Sequence, residues 1–154
     1  MTFNIRQARE EDMVELLRLR HERNAVYLKD NGYSEAAEES WKNVMMVWLK
    51  DGHARILVAE DGDHLLGYMI GWVRENLPQL PPEKVGMIVE MTVDGHNKQG
   101  GVGTALLDEM KTWFKAQHIT EIEVRVPRFQ AIEQAFWRSV GGREQINLFA
   151  YRLD

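Results

Sequence analysis

The stretch of sequence that decides the fold reads Val93-Asp94-Gly95-His96-Asn97-Lys98-Gln99-Gly100-Gly101-Val102-Gly103-Thr104-Ala105-Leu106. It follows an almost continuously apolar run over residues 85–93, which is typical of a strand covered on both faces. It leads into an amphipathic helix predicted over residues 102–117. Glycines at such a junction let the backbone approach a ligand, and the free N–H groups of the first helical turn favour phosphate. A tight turn that needs glycine only for its geometry is the alternative explanation.

Two other phosphate-binding motifs fit these residues poorly. A P-loop requires a lysine before its final Ser or Thr, whereas Gly103 runs directly into Thr104. A dinucleotide-binding fingerprint requires a third glycine three residues after Gly103, where Leu106 stands, and an early position in a βαβ unit, and the stretch has neither.

Working outward from this stretch, apolar periodicity and turn residues predict strands and helices along the whole chain. Asp61-Gly62-Asp63 indicates a hairpin turn, and residues 76–83 carry three of the four prolines and predict a loop. The predicted strands cover residues 3–8, 54–60, 65–73, 85–93, 121–126 and 147–153, and the predicted helices cover 13–28, 35–50, 102–117 and 131–139. We therefore predict one domain over residues 1–154, of α+β class with three layers and a mixed sheet.

Composition narrows the function classes. The 154 residues are 44% hydrophobic and include no cysteine, which excludes disulfides, thiolate metal sites and a cysteine acyl-enzyme. The 19 basic residues are scattered among 24 acidic ones, so nucleic acid is not an expected partner. No apolar run approaches the roughly 18 residues of a membrane span, and His21, His53, His64 and His118 have no metal-site spacing between them. We expect a cytoplasmic protein without a metal site or a membrane association.

The glycine-rich stretch resembles the acetyl-CoA-binding core of the GNAT superfamily, in which a strand ending in Val leads to x-Pro-x-x-Arg/Gln-x-x-Gly-x-Gly/Ala. Val93, Lys98, Gly101 and Gly103 occupy the corresponding positions, and Gly95 stands where Pro is common. Lys98 replaces the usual Arg or Gln and keeps a positive charge without the planar fork. Residues 130–142 resemble a second, looser family segment, with matches at Phe136, Trp137 and Gly141 and with Gln130 in place of Asn.

The resemblance, which extends to the order of the elements, implies a single acyl-CoA N-acyltransferase domain. Its sheet would be mixed and mostly antiparallel, with a splayed parallel strand pair and helices on both faces. It implies direct transfer of an acetyl group from acetyl-CoA to a primary amine of a small molecule or a peptide or protein, and a homodimer. The implied acetyl-CoA contacts are Met91, Thr92, Val93, Lys98, Gln99, Gly100, Gly101, Val102, Gly103, Thr104, Gln130 and Trp137.

The resemblance also suggests catalytic roles. A backbone N–H near Met91 or Thr92 would stabilise the oxyanion, and Glu90 is the candidate base, unless it forms an ion pair with Arg125. The position where the family often carries a tyrosine acid reads Trp137, whose indole N–H cannot supply a proton.

Several alternatives for the acid and for the function stay open. The thiolate could leave without an acid, or Tyr151, Tyr68 or Ser139 could serve; of these, Tyr151 joins Glu90 and Met91 as a predicted catalytic residue. The alternative functions are a non-catalytic acyl-CoA-binding sensor of the same fold and an interaction domain without a cofactor.

Overall fold

The computed structural model describes residues 2–27, 35–78, 80–97 and 99–153. One sheet has the strand order β1-β2-β3-β4-β5, in which neighbours are antiparallel except for the parallel pair β4–β5. This confirms the predicted α+β class with a mixed, mostly antiparallel sheet. The strands are β1 (Asn4–Gln7), β2 (Ala54–Asp61), β3 (His64–Glu75), β4 (Lys84–Val93) and β5 (Ile122–Val124), and the helices are α1 (Met13–Tyr27), α2 (Glu35–Trp48), α3 (Val102–Ala116) and α4 (Ala131–Ser139).

Apart from the strand predicted over residues 147–153, the predicted elements agree with these bounds to within a few residues, and α4 agrees at both ends. The predicted C-terminal end of the first helix, Leu28, lies outside the described residues. Within the described ranges, each helix is too short or too polar to serve as a membrane span.

The sheet separates two apolar clusters, one on each face. Alternating side chains of a strand point to opposite faces, so each strand supplies residues to both clusters. The half-buried Phe136 and Trp137 of α4 pack on the α3 side. That cluster includes Leu57, Met69, Ile88, Leu106, Met110 and Phe114, and the α1–α2 cluster includes Leu16, Leu19, Met45, Ile56, Tyr68 and Ile70.

The predicted strand over residues 147–153 is wrong for this structure, because the segment forms no strand. Phe149 and Tyr151 are 91% and 88% exposed, and no backbone hydrogen bond among the described residues joins this segment to the rest of the chain. Alternating apolar residues favour an extended conformation, but a strand exists only where a neighbouring backbone satisfies its N–H and C=O groups.

Gly67 in β3 lies where a side chain has no room. A Cβ atom there would approach the Thr92 carbonyl oxygen to 2.7 Å and Val102 Cγ1 to 3.3 Å. Because a backbone oxygen cannot move cheaply, we expect Gly67→Ala to lower the free energy of unfolding by about 1–3 kcal/mol. Urea denaturation measures the change. Gly52→Ala, whose Cβ would meet nothing within 4 Å, is the control and should stay within about 0.5 kcal/mol of the parent.

A bidentate ion pair ties β1 to the start of α1. The Arg6 Nη1 and Nη2 atoms donate to the Asp12 carboxylate at 2.8 and 2.9 Å, and the Arg9 backbone N–H donates to it at 2.7 Å. The Arg6 guanidinium lowers the pKa of Asp12 below its ordinary value of 3.8. A lowered pKa in the folded state stabilises the protein above the unfolded pKa, and this stabilisation is lost as the pH falls through the folded pKa.

Asp12→Asn should therefore lower the free energy of unfolding at pH 7 by about 1.5–3 kcal/mol. The difference from the parent should begin to shrink once the pH falls below about 4, where Asp12 of the unfolded parent chain takes up a proton. It should shrink further as the pH approaches the lowered pKa of Asp12 in the folded parent. Denaturant unfolding of both proteins between pH 7 and pH 2.5 tests this. The exposed turn residue Asp63 offers the control Asp63→Asn, which should show no such pH-dependent gap. A gap that persists unchanged at the lowest pH would contradict the assignment.

Candidate functional site

A β-bulge and a strand separation open the sheet in the middle of β4. Ile70 of β3 pairs with Glu90, and the next residue, Gly71, pairs with Ile88, so Val89 has no partner in β3. The parallel pairing of β4 with β5 covers only Gly86–Ile88. In the described part of the chain, the edge of β4 from residue 89 to residue 93 therefore has no strand beside it on the β5 side. This agrees with the predicted splayed parallel pair.

The bulge also decides which side chains of β4 face which helices. Ile88 and Met91 both pack in the cluster on the α3 side, although they are three residues apart. Glu90 instead faces α1 on the opposite side of the sheet. Because side chains alternate with a period of two, the extra residue Val89 is what reverses the pattern downstream.

Glu90 lies in a network of polar side chains on the α1 side. The Tyr68 hydroxyl donates to Glu90 Oε2. Arg20 Nε and Arg23 Nη1 lie 3.6 and 3.7 Å from Glu90 Oε1, and Arg23 Nη2 also lies 3.5 Å from Glu133 Oε1 on α4. The Glu90 side chain is 12% exposed. The network therefore holds one partly accessible carboxylate at the bulge.

The Tyr68 phenol is fully buried beside this carboxylate. Burial, and then the negative charge of Glu90, raise the pKa of Tyr68 well above its ordinary value of 10. The phenol therefore stays protonated at neutral pH and acts as a hydrogen-bond donor to Glu90.

The ion-pair alternative for Glu90 is formed with different residues from those expected. Among the described residues the partners of Glu90 are Arg20 and Arg23 of α1, not Arg125. Sequence reasoning missed these arginines. The sequence does carry a signal for them. Arg20 and Arg23 are three positions apart and share a face of α1, close to the buried Leu16 and Leu19 of the same helix.

The N-terminus of α3 begins at the glycine pair of the loop. Gly101 is the N-cap, with φ at +85° and no side-chain cap, and its carbonyl accepts the first helical hydrogen bond from the Ala105 N–H at 2.9 Å. The first turn contains no acidic residue. The N–H groups of residues 102–104 thus lie at the positive end of the helix dipole, where an anion is favoured.

Side chains within the loop hold this N-terminus in place. Asp94 is buried and accepts a hydrogen bond from the His96 backbone N–H at 2.9 Å. The Asn97 side chain accepts the Gln99 N–H at 3.1 Å, and the Gln99 side chain donates to Asp61 at 3.1 Å. The Gln99 side chain is thus occupied by the β2–β3 hairpin, and its predicted cofactor contact would fall to its backbone. Sequence reasoning missed Asp94, whose role depends on this local geometry.

The other predicted loop contact, Lys98, lies outside the described residues. A group of potential metal ligands next to the loop, Glu22, Asp94 and His96, has ligand atoms within 4.8 Å of one another. Arg18 already pairs with Glu22 at 3.2 Å and with Asp94 at 3.4 Å, so the arrangement is an ion-pair cluster.

Helix α4 packs against the first turn of α3. A Cβ atom on Gly103 would lie 3.1 Å from the Phe136 ring. Trp137 meets Phe136 edge to face at 5.1 Å and packs in the α3-side cluster. Gln130 is buried, and its amide nitrogen, with the amide oriented toward the carboxylate, lies 2.8 Å from Glu133. Phe136 therefore brings α4 to the first turn of α3. Of the predicted cofactor residues of this segment, Trp137 is used in packing and Gln130 contacts Glu133.

The three candidate acids, Ser139, Tyr68 and Tyr151, lie in separate places. The Ser139 hydroxyl donates to the Phe136 carbonyl at 2.6 Å, and Tyr68 donates to Glu90. Tyr151 stands 88% exposed near the C-terminus and is not brought to Glu90. The structure thus brings together Met91, Gly103 and the open edge of β4, with Glu90 on the other face of the same strand.

Known structures share this fold over the full chain. An aminoglycoside acetyltransferase, meta-AAC0020, from an uncultured soil metagenomic sample superposes with a TM-score of 0.76 at 19% identity, covering 99% of this chain and 97% of the other. The tetramutant of the BH1408 protein of Bacillus halodurans superposes with a TM-score of 0.82 at 22% identity, covering 97% of this chain and 99% of the other. Aminoglycoside N-acetyltransferase AAC(6')-Iy superposes at 0.80 with 17% identity, covering 100% and 99%.

At these identities the structural likeness establishes the fold. No curated protein is detectably similar to the chain in sequence. The family model described as "Acetyltransferase (GNAT) family" matches residues 10–141, a range that includes the bulged strand, the glycine loop and α4. By this match the chain belongs to the GNAT acetyltransferase family.

Proposed function

We propose that this chain transfers an acetyl group from acetyl-CoA to a primary amine of a small molecule or of a peptide or protein. The observation that carries the proposal is the juxtaposition of an uncapped α3 N-terminus with the unpaired edge of β4. The α3 N-terminus would bind phosphate, and the β4 edge would bind an extended chain that carries amide groups. CoA contains both, in its pyrophosphate and its pantetheine arm. Solved structures with the same fold support a CoA site, since AAC(6')-Iy is known in complex with CoA and with a bisubstrate analogue, CoA-S-monomethyl-acetylneamine.

The residues present fit this co-substrate. The N–H groups of residues 102–104 would bind the pyrophosphate, and a side chain at Gly101 is absent where the phosphates approach. The backbone of Met91 and Val93 on the open edge would bind the pantetheine amides in the way that an added strand would. Met91 brings the β4 edge close to the α3 N-terminus, because its Sδ atom lies 3.6 Å from the point that a Cβ atom on Gly103 would occupy.

The proposed chemistry is a direct attack of the amine on the thioester. The amine nitrogen forms a bond to the carbonyl carbon, and a backbone N–H of Met91 or Thr92 stabilises the oxyanion. Glu90 accepts the amine proton, directly or through a water, and collapse of the tetrahedral intermediate breaks the C–S bond. A thiol titrates near pH 8.5, so the CoA thiolate leaves without a dedicated acid. The absence of cysteine agrees with a route that has no acyl-enzyme.

The second candidate function is an acyl-CoA sensor that binds without turnover. Two observations favour it. The position expected to carry a tyrosine acid is Trp137, which packs in the core, and Glu90 is engaged by two arginines. The two candidates share the co-substrate site and differ only in whether an amine is acetylated.

Thermal unfolding with acetyl-CoA, followed by a thiol-release assay, separates these functions. A ligand at 100 times its dissociation constant should add about 2.7 kcal/mol to the stability and raise the melting temperature by several degrees. Release of CoA thiol with at least one amine, tested over polyamines, aminoglycosides and lysine peptides, supports the transferase. Stabilisation without thiol release for any amine supports the sensor. No stabilisation at millimolar acetyl-CoA would overturn both.

The cytoplasmic location and the single domain over residues 1–154 stay predictions. The homodimer and the expectation of no metal and no nucleic-acid partner also stay predictions.

A further inference from the structure

Arg20 of α1 places a guanidinium group beside Glu90 without a close hydrogen bond to it. The Arg20 Nε atom lies 3.6 Å from Glu90 Oε1, whereas a charge-assisted hydrogen bond measures about 2.7–2.9 Å. This Nε atom is buried, and within the described ranges of the chain it has no hydrogen-bond partner. The Arg20 side chain as a whole is nevertheless 25% exposed. Arg20 therefore keeps a hydrogen-bond donor that the protein itself does not use, and a ligand can reach its side chain.

Aromatic side chains hold the Arg20 guanidinium in place. Its Cζ atom lies 5.0 Å from the centroid of the Trp41 ring of α2, which is a cation–π contact. The Trp41 ring lies 6.1 Å from the ring of Tyr68, whose hydroxyl donates to Glu90. These contacts fix the guanidinium relative to the Glu90 carboxylate, and a guanidinium fixed in this way can bind a planar anion with a defined orientation.

Arg23, one turn later on α1, is engaged differently. It lies between two carboxylates, with Nη1 3.7 Å from Glu90 Oε1 and Nη2 3.5 Å from Glu133 Oε1. In the part of the chain that the structure describes, Arg20 instead pairs with Glu90 alone. Of the two arginines, Arg20 is therefore the one that can take up a further anion.

The charges of this network balance before an acceptor enters. Arg20 and Arg23 carry two positive charges, Glu90 and Glu133 carry two negative charges, and each of the four side chains is at most 25% exposed. An acceptor that brings only an ammonium group adds a third positive charge beside two guanidinium groups in a poorly solvated site, which is unfavourable. An acceptor that also carries a carboxylate keeps the site neutral.

We propose that the acceptor is a free α-amino acid, whose carboxylate binds Arg20 while its amine faces Glu90. This inference rests on the proposed acetyl transfer and names its acceptor class. Glu90 Oε2 accepts the Tyr68 hydroxyl, and Oε1, the oxygen beside Arg20, takes the amine. A polyamine and a peptide N-terminus have no carboxylate next to the amine, so neither satisfies Arg20.

The dimensions of an α-amino acid fit this pair of side chains. An amine nitrogen at about 2.9 Å from Glu90 Oε1 lies within about 6.5 Å of Arg20 Nε. The amine nitrogen and the carboxyl carbon of an α-amino acid are two bonds, or about 2.5 Å, apart. With a further C–O bond and a hydrogen bond to the guanidinium, the carboxylate spans the remaining distance. One compact molecule can thus contact both residues.

The first experiment measures thiol release from acetyl-CoA with three matched sets of amines. These are the common free amino acids, their amides and the corresponding decarboxylated amines, for example leucine, leucinamide and isoamylamine. At least one amino acid should be acetylated with a kcat/KM at least about 10-fold above that of its amide. Turnover of amides, polyamines or aminoglycosides without this preference would overturn the inference and leave the proposed function in place. Thiol release with none of these amines would overturn both.

The second experiment tests the carboxylate contact with Arg20→Met, which keeps a long side chain against Trp41. It should raise the KM for the amino acid by about 10–100-fold, with a much smaller change in kcat. Arg20→Lys keeps the charge without the planar fork and should give an intermediate rise. A fall in kcat at unchanged KM would make Arg20 a positioning residue for Glu90 and would overturn the contact.

Arg74→Met is the matched control. Arg74 also pairs with one carboxylate, that of Glu123 at 2.8 Å, and among the described residues its buried Nε also has no hydrogen-bond partner. It pairs in the sheet with Val85, far along β4 from Glu90. Arg74→Met should therefore leave the KM for the amino acid within a few-fold of the parent, and thermal melting should show all three variants folded. An equal rise in KM for Arg74→Met would overturn the assignment to Arg20.

Discussion

Gly101→Glu is expected to weaken acetyl-CoA binding by at least about 100-fold, which corresponds to roughly 2.8 kcal/mol. Gly101 adopts a φ of +85° at the N-cap of α3, and a residue with a side chain loses about 1–2 kcal/mol in that conformation. The glutamate also places a negative charge where the pyrophosphate is proposed to bind and cancels part of the positive helix end. Isothermal titration with acetyl-CoA measures the change.

Gly95→Glu is the matched control, because it adds the same side chain to the same loop. Gly95 is also exposed, a Cβ there would also meet nothing within 4 Å, and its φ is not in the left-handed region. It should bind acetyl-CoA within a few-fold of the parent. Gly101→Ala separates the two causes, since it keeps the backbone cost without the charge. If the folded Gly101→Glu protein binds acetyl-CoA as the parent does, the α3 N-terminus is not the phosphate site.

Glu90→Gln is expected to reduce kcat by about 10²–10⁴-fold if Glu90 is the base, because an amide cannot accept the amine proton. The KM for acetyl-CoA should change little, since Glu90 faces α1 and the proposed pantetheine edge lies in the plane of the sheet. Steady-state thiol release at varied acetyl-CoA concentration gives both quantities.

Glu133→Gln is the matched control for this substitution. Glu133 pairs with the same arginine, Arg23, and its side chain is 16% exposed, against 12% for Glu90. The control therefore removes an equivalent carboxylate from the network and should keep most of kcat. Tyr68→Phe removes only the phenol donor to Glu90 and should also act mildly. A Glu90→Gln protein that unfolds more easily but turns over at the parent rate would make Glu90 an anchor for α1.

The parts of the fold that depend on local signals could be predicted from the sequence. The hairpin turn at Gly62 and the helix start after Gly101 rest on residues that favour a left-handed backbone, and both glycines have positive φ values. The α4 bounds rest on a short amphipathic pattern. The position of the proposed phosphate site followed from one strand-to-helix junction, which needs no knowledge of distant residues.

The parts that depend on partners distant in sequence could not be predicted. The run over residues 85–93 is almost continuously apolar, so no break in alternation marks the bulge at Val89. The partners of Glu90 come from α1, nearly seventy residues earlier, and only packing of that helix on the sheet brings Arg20 and Arg23 to it. The strand predicted over residues 147–153 has the right pattern, but pattern alone does not supply a neighbouring strand.

The bulge at Val89 has a consequence for how such a protein can diversify. Downstream of it, Glu90 belongs to the layer of α1 and Met91 to the layer of α3. If acetyl-CoA occupies the α3 layer and the open edge, substitutions on α1 and α2 reshape the acceptor side while the co-substrate site is inherited intact. Deleting one residue at position 89 would exchange the two sides for every later residue of β4. Under this proposal, exposed residues of α1 and α2 can change without altering the co-substrate site, whereas the length of β4 cannot.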